Sequence, residues 1–222
     1  MHIPDGYLGP TTCGVLYAVM IPIWAMASKI VKKTLSARQV PLLAIGAAFS
    51  FVIMMFNIPI PGGTTGHAVG GVLVAILLGP WAACIALTVA LVLQALLFGD
   101  GGITTLGANC FNMAFILPFA GYYIYKAIIY NSDIGSKRRI IAAGIAGYIA
   151  TTLAAVFTGF ECGIQPLLNR LADGQALYCP YRLNVTLPVM MGEHVLLFGL
   201  VEAIVTALVI KYIQKHDVTL LS

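Results

Sequence analysis

The 222-residue chain has very little charge: Asp, Glu, Lys and Arg together make up 9% of it, against 60% apolar residues. A water-soluble surface of ordinary charge density cannot be built from that supply, so the chain must live in a lipid bilayer. Its five cysteines (Cys13, Cys84, Cys110, Cys162, Cys179) show no C-x-x-C spacing, which argues against a structural zinc site or a thioredoxin-like centre. No G-x-x-x-x-G-K-[ST] occurs, so no P-loop for nucleotide is encoded. H-E-x-x-H, H-x-x-E-H and G-x-S-x-G are missing as well, which leaves an intramembrane hydrolase, superficially suggested by Glu193-His194, without a catalytic constellation. The net charge of +4 makes no stripe for nucleic acid, because the basic residues fall in short clusters between apolar runs.

What is present is a succession of apolar segments, at 11–31, 40–58, 68–79, 81–98, 106–129, 140–164 and 188–212. Residues 68–98 are too long for one span and short for two, with Gly79-Pro80 suited to a tight turn between them. Charge decides the count. If 68–98 crosses twice, Lys29, Lys32, Lys33, Arg38, Lys126, Lys137, Arg138, Arg139, Lys211 and Lys215 share one side, with only Arg170 and Arg182 opposite; a single crossing divides them evenly. The expectation is an all-α integral membrane protein of seven transmembrane helices forming a single domain over 1–222. Its N-terminus lies outside with the loops at 59–67, 99–105 and 165–187, and its C-terminus is cytoplasmic.

The start of the chain shows neither the basic stretch nor the cleavage site of a signal peptide, and the large His2 should protect Met1 from removal. The free Met1 amine, the His2 amide nitrogen and the His2 imidazole then form two fused chelate rings. Coordination through a deprotonated amide needs a metal high in the Irving–Williams order and tolerant of a planar nitrogen field, which favours nickel(II) or copper(II), with cobalt(II) next. His67 can supply a fourth nitrogen from the loop 59–67, on the same side. Two prolines keep that loop from helix, and Gly62, Gly63, Gly66 and Gly70 let the N-terminal arm, residues 1–10, approach closely.

Other ionisable groups lie on the outer side. Glu193 and His194, near the outer end of the last span, suit either a functional site, with His194 orienting a ligand imidazole from behind, or a buried packing pair. Asp5, Asp100 and Glu161 could attract cations or cap turns, and Cys162 and Cys179 could form a disulfide.

The opening Met1-His2-Ile3-Pro4-Asp5-Gly6-Tyr7-Leu8, with His67 in Gly62-Gly63-Thr64-Thr65-Gly66-His67, resembles the substrate-capture (S) subunits of cobalt and nickel energy-coupling factor transporters, the CbiM/NikM family. Residues 94–109, ending Gly107-Ala108-Asn109, look like that family's second signature, and Tyr178-Cys179-Pro180-Tyr181 resembles an outer loop of its nickel-type members. The resemblance implies six S-subunit helices plus one N-terminal helix, and a metal held by Met1, His2 and His67. Asp5 and Asn109 stand with His194 as supporting candidates. The resemblance also implies a membrane coupling (T) subunit met through Ala44 and Ala48, cytoplasmic ATPase (A) subunits, and a small accessory membrane subunit. No resident cofactor is implied; Ni2+ or Co2+ is the substrate, and Gly62-Gly63-Thr64-Thr65-Gly66 is closer to the nickel-type loop. The expected setting is the bacterial or archaeal cell (inner) membrane, and the metal could serve cobalamin synthesis or nickel enzymes. The alternative is a self-sufficient secondary metal-ion transporter, whose main support is Glu202 inside the last span.

Overall fold

The computed structural model describes residues 1–37, 39–60 and 64–221. Arg38 in the charge count, and Pro61, Gly62 and Gly63 of the loop 59–67, lie outside the described residues.

Helix α1 (Pro10–Thr34) starts on a proline, whose missing N–H costs nothing in a first turn, and ends on Lys32 and Lys33. Helix α2 (Val40–Met54) follows. Strands β1 (Ile58–Ile60) and β2 (Thr64–Gly66) pair antiparallel, with Ile58 opposite Gly66. This hairpin departs from the all-α expectation. The prolines that keep the loop from helix still allow a short ladder flanked by β-branched residues. Helix α3 (Gly71–Leu78) has only eight residues, about 12 Å of rise, so the buried non-helical segment 67–70 carries the chain further into the protein. Gly79, at φ +85°, makes the expected turn into α4 (Pro80–Leu93).

Three rods are longer than their α-helices, because π turns join them. Helix α4 continues through Gln94–Phe98. Helix α5 (Leu106–Asn109) runs through Cys110–Ile116 into α6 (Leu117–Ile128). Helix α7 (Lys137–Gly163) is capped by Ser136 Oγ, which accepts from Arg138 N, and leads to the short α8 (Gln165–Leu168). Helix α9 (Leu183–Glu193) passes through His194–Phe198 into α10 (Gly199–His216). This last rod starts five residues before the expected 188, with Pro188 inside it, so Glu193 and His194 sit well within the helix.

The segments Pro10–Thr34, Pro80–Phe98, Lys137–Leu168 and Leu183–His216 are each long and apolar enough to cross a membrane. The packing shows what that membrane does to a helix. On α7 one face buries Ala142, Ala143, Ala146, Gly147, Ala150 and Ala154, while Ile141, Ile145, Ile149 and Leu153 are exposed on the other. Small residues bring α7 against α10 and α9; a β-carbon on Gly147 would sit 3.3 Å from Glu202 O, and one on Gly159 3.0 Å from Thr186 O. A face of branched aliphatics pointing outward suits contact with lipid tails. The chain is a helical, multi-pass membrane protein.

Candidate metal centre

Residues 1–9 fold back over the bundle and are fixed mainly through their main chain. Ile3 N donates to Asn109 Oδ1 at 2.8 Å, and Ile3 O accepts from Asn109 Nδ2 at 3.0 Å and Thr105 Oγ1 at 2.6 Å. Asn109 thus pairs with the arm as a neighbouring strand would. Further along, Gly9 N donates to Gln165 Oε1 at 2.9 Å, and Tyr7 O accepts from Cys179 N at 3.0 Å. The side chains of Ile3 and Leu8 are buried with Cys13, Leu16 and Ala108. Asp5 is exposed and accepts from Thr104 Oγ1 (2.5 Å), Thr104 N (2.8 Å) and Ile103 N (3.1 Å); these bonds, that from the Thr104 hydroxyl first, hold its carboxyl below the usual range. Asp5 fastens the arm to the loop 99–105 and makes none of its hydrogen bonds to an imidazole.

This docking places Met1 in the core, 6% exposed, and brings His2 onto His67, itself 2% exposed. His2 Nδ1 lies 2.9 Å from His67 Nε2, with the ring centroids 4.8 Å apart. The other two ring nitrogens each face an oxygen. His67 Nδ1 donates to Ala68 O at 3.0 Å, and His2 Nε2 donates to Gln94 Oε1 at 3.2 Å. With the ring protons on those nitrogens, His2 Nδ1 and His67 Nε2 confront each other as lone pairs. A cation between them resolves that repulsion. Two nitrogens each about 2.0 Å from one ion and at a right angle around it stand about 2.8 Å apart, so the observed spacing suits neighbouring corners of a planar site.

The surroundings favour neutral nitrogen. Burial pushes the His2 pKa down to about 3 and that of His67 well below its ordinary value, with the nearby Met1 amine adding to both shifts. Burial likewise lowers the Met1 amine, against the fields of Glu193 and Asp100. Asp100 Oδ1 stands 3.5 Å from His2 Nδ1, and desolvation raises its own pKa. Among the described residues no group of three or more His, Cys, Asp or Glu side chains could hold a metal ion.

The remaining candidates occupy other positions. His194 is buried; its Nδ1 donates to Met190 O at 2.8 Å, and its Nε2 has no hydrogen-bond partner among the described residues. Asn109 serves the arm's backbone. Cys162 and Cys179 are free thiols. Ala44 and Ala48 are exposed one turn apart on α2, beside an apolar groove of about 300 Å3 lined in part by Gly46, Val74 and Tyr212. Gln94 was not among the sequence-derived site residues, although an amide in an otherwise apolar helix signals a partner in the bundle. Glu202 accepts from Val69 N at 2.7 Å and from Gly70 N at 3.0 and 3.1 Å.

Fold and site together describe a helical membrane protein whose N-terminal arm brings His2 against the buried His67. The chain belongs to the CbiM family, described as the cobalt uptake substrate-specific transmembrane region, which matches residues 2–220. It is 48% identical over 222 residues to the fused nickel transport protein NikMN of Rhodobacter capsulatus and 50% identical over 219 residues to the probable fused nickel transport protein LarMN of Lactiplantibacillus plantarum. The match takes in 100% and 97% of this chain, but the chain spans only 64% and 65% of those two relatives. The cobalt transport protein CbiM of Acetoanaerobium sticklandii is 32% identical over 220 residues, covering 97% of this chain and 86% of that protein. A crystal structure of a transition metal transporter superposes with a TM-score of 0.91 at 53% identity, covering 98% of this chain and 94% of that one. The family is one of nickel and cobalt transport membrane proteins.

Proposed function

We propose that this chain is the metal-capturing membrane subunit of an ATP-driven uptake transporter, taking one divalent nickel or cobalt ion, nickel by preference, from the outer side of a bacterial or archaeal cell membrane. Seven spans, with the arm outside and the C-terminus in the cytoplasm, accommodate the charge asymmetry of the loops. The ligands are the Met1 amine, the His2 amide and imidazole, and His67. The observation that carries this reading is the 2.9 Å approach of two imidazole nitrogens, each ring holding its proton on the far side against an oxygen. Amide coordination makes the field planar and strong, which suits nickel(II).

Closing the arm and binding the ion are coupled, since three of the four proposed ligand groups belong to the arm that docks. The sequence carries no P-loop motif, and on this reading ATPase subunits and a membrane coupling subunit supply the driving force. The exposed Ala44 and Ala48 on α2 offer the coupling subunit a close helix contact. A small accessory membrane subunit completes the complex. The case for a self-sufficient transporter weakens, because the carboxylate of Glu202 is engaged with two backbone amides.

The test is nickel and cobalt binding by the purified chain, beside a variant with one alanine inserted between Met1 and His2. The insertion keeps both histidines and breaks the chelate spacing. Loss of binding, with a square-planar nickel absorption band in the unmodified protein, is the expected result. Unchanged binding would remove the arm as chelator.

A further inference from the structure

Segment 67–70 is buried, non-helical backbone at the mouth of α3. Its amides cannot be left unpaired there, and the preceding hairpin ends at Gly66. Glu202, fully buried on α10, reaches across and accepts from both Val69 N and Gly70 N. The carboxylate lies where the first amides of α3 concentrate partial positive charge, a location that favours an anion. Glu202 is itself fixed from behind, since a β-carbon on Gly147 of α7 would come 3.4 Å from its Cγ. On the other side of His67, Gly66 lies directly against Phe198, with no room there for a β-carbon. His67 is therefore suspended between two attachments to the single rod Leu183–His216, one at Phe198 and one at Glu202.

We infer that Glu202 is the positioning residue for His67: by holding the main chain at Val69 and Gly70 it sets where His67 Nε2 stands relative to His2 Nδ1. The inference rests on the reading of His67 as a metal ligand. It gives a carboxyl group deep in the last helix a purpose that lies outside ion coupling. Displacing a ligand nitrogen by an ångström loses the spacing that a planar ion demands, so the cost appears in metal affinity before it appears in the fold.

The experiment is nickel titration of the full-length purified chain with Glu202→Ala, made both in the unmodified background and in His67→Ala. In the unmodified background the substitution should weaken nickel binding about 10- to 100-fold, the range found when the residues supporting a ligand are removed. In the His67→Ala background, where the amine, amide and His2 imidazole remain, it should change affinity less than about twofold, because coupled residues are not additive. Equal losses in both backgrounds would show a general effect on the bundle and overturn the assignment, as would no loss in either. Glu202→Gln, which keeps the shape and one acceptor, should give a smaller loss that again requires His67; it decides the matter if the alanine variant does not fold. If neither His67→Ala nor the Met1–His2 insertion weakens binding, the metal site itself is misassigned, an outcome distinct from a silent Glu202.

Discussion

Gln94 determines which nitrogen of His2 is free: its Oε1 accepts from His2 Nε2 at 3.2 Å, so the Nδ1 lone pair is the one turned toward His67. Chelation by a histidine's own amide and ring requires that same nitrogen. Gln94→Leu removes the acceptor and lets the ring exchange its proton or turn. Nickel affinity should fall about 10- to 100-fold, measured by competition with a coloured chelator. Gln94→Glu keeps an acceptor at that place and should retain most of the binding. An unaltered affinity in Gln94→Leu would show that the ring is oriented by other means.

Asn109 acts one residue further along, using both ends of its amide on the main chain of Ile3. Asn109→Ala leaves a buried N–H without a partner, at a cost of about 1–3 kcal/mol, or roughly 5- to 150-fold in metal affinity if the arm docks only to bind. Asn109→Asp keeps the acceptor for Ile3 N but sets a second carboxylate oxygen against Ile3 O where Nδ2 donated at 3.0 Å, so its effect should be at least as large. Nickel titration of the two variants gives the order; Asn109→Asp proving clearly the milder would contradict it.

Gly102 tests the arm without touching a ligand. A β-carbon there would sit 2.5 Å from Asp5 N and closer still to the Asp5 carboxylate. Gly102→Ala should drive the arm off its seat, weakening nickel binding by about tenfold to a hundredfold while the helical bundle keeps its thermal stability. Circular dichroism melting beside metal titration separates the two effects. A fall in melting temperature matching that of a core cavity would mean that the loop 99–105 supports the bundle itself.

Acid should undo the site in a definite order. The docked amine, His2 and His67 all have pKa values lowered by burial, so protons bind the undocked arm better than the docked one. Docking is complete above the ordinary amine value of 8.0, weakens as pH falls through it, and weakens further below 6.5 as the imidazoles compete for protons. The His2 contribution continues to be lost down to about pH 3. Each imidazole adds up to about tenfold per pH unit, so nickel affinity should be steep between pH 6.5 and 5. Isothermal titration across pH 8 to 5 checks this, and a flat profile would contradict nitrogen ligation.

The sequence discloses the parts of this molecule that depend on local order and composition. Apolar segments, the Gly79-Pro80 turn and the pairing of residues 1–2 with His67 are all legible. What escapes is set by distance along the chain. Gln94 meets His2 across 92 residues and Glu202 meets Val69 across 133, contacts that no periodicity encodes. Each nonetheless leaves a trace as a polar group in an apolar helix. Glu202 is readable as an ion-coupling residue until its partners are known, and Asp5 as a metal attractant until Thr104 is seen to occupy it. The hairpin at Ile58–Gly66 escapes because Pro59 weakens the strand signal of its neighbours.

The π turns at Gln94–Phe98, Cys110–Ile116 and His194–Phe198 have a consequence for the register of the helices. Gln94–Phe98 ends its rod, but the turns at Cys110–Ile116 and His194–Phe198 each take up about one residue more than an α turn, so the helix faces before and after them differ by about 100° from those of an uninterrupted helix. In the rod of residues 106–128 the half before the turn can thus aim Asn109 at the arm while the half after it keeps its own packing. Deleting a single residue between His194 and Phe198 would restore the α repeat and swing α9 around the axis of α10, carrying Thr186 and Met190 off Gly159 of α7 while every proposed ligand remained in the chain. Tolerance to insertion and deletion along the helices is therefore a more sensitive map of this site than substitution of its surface.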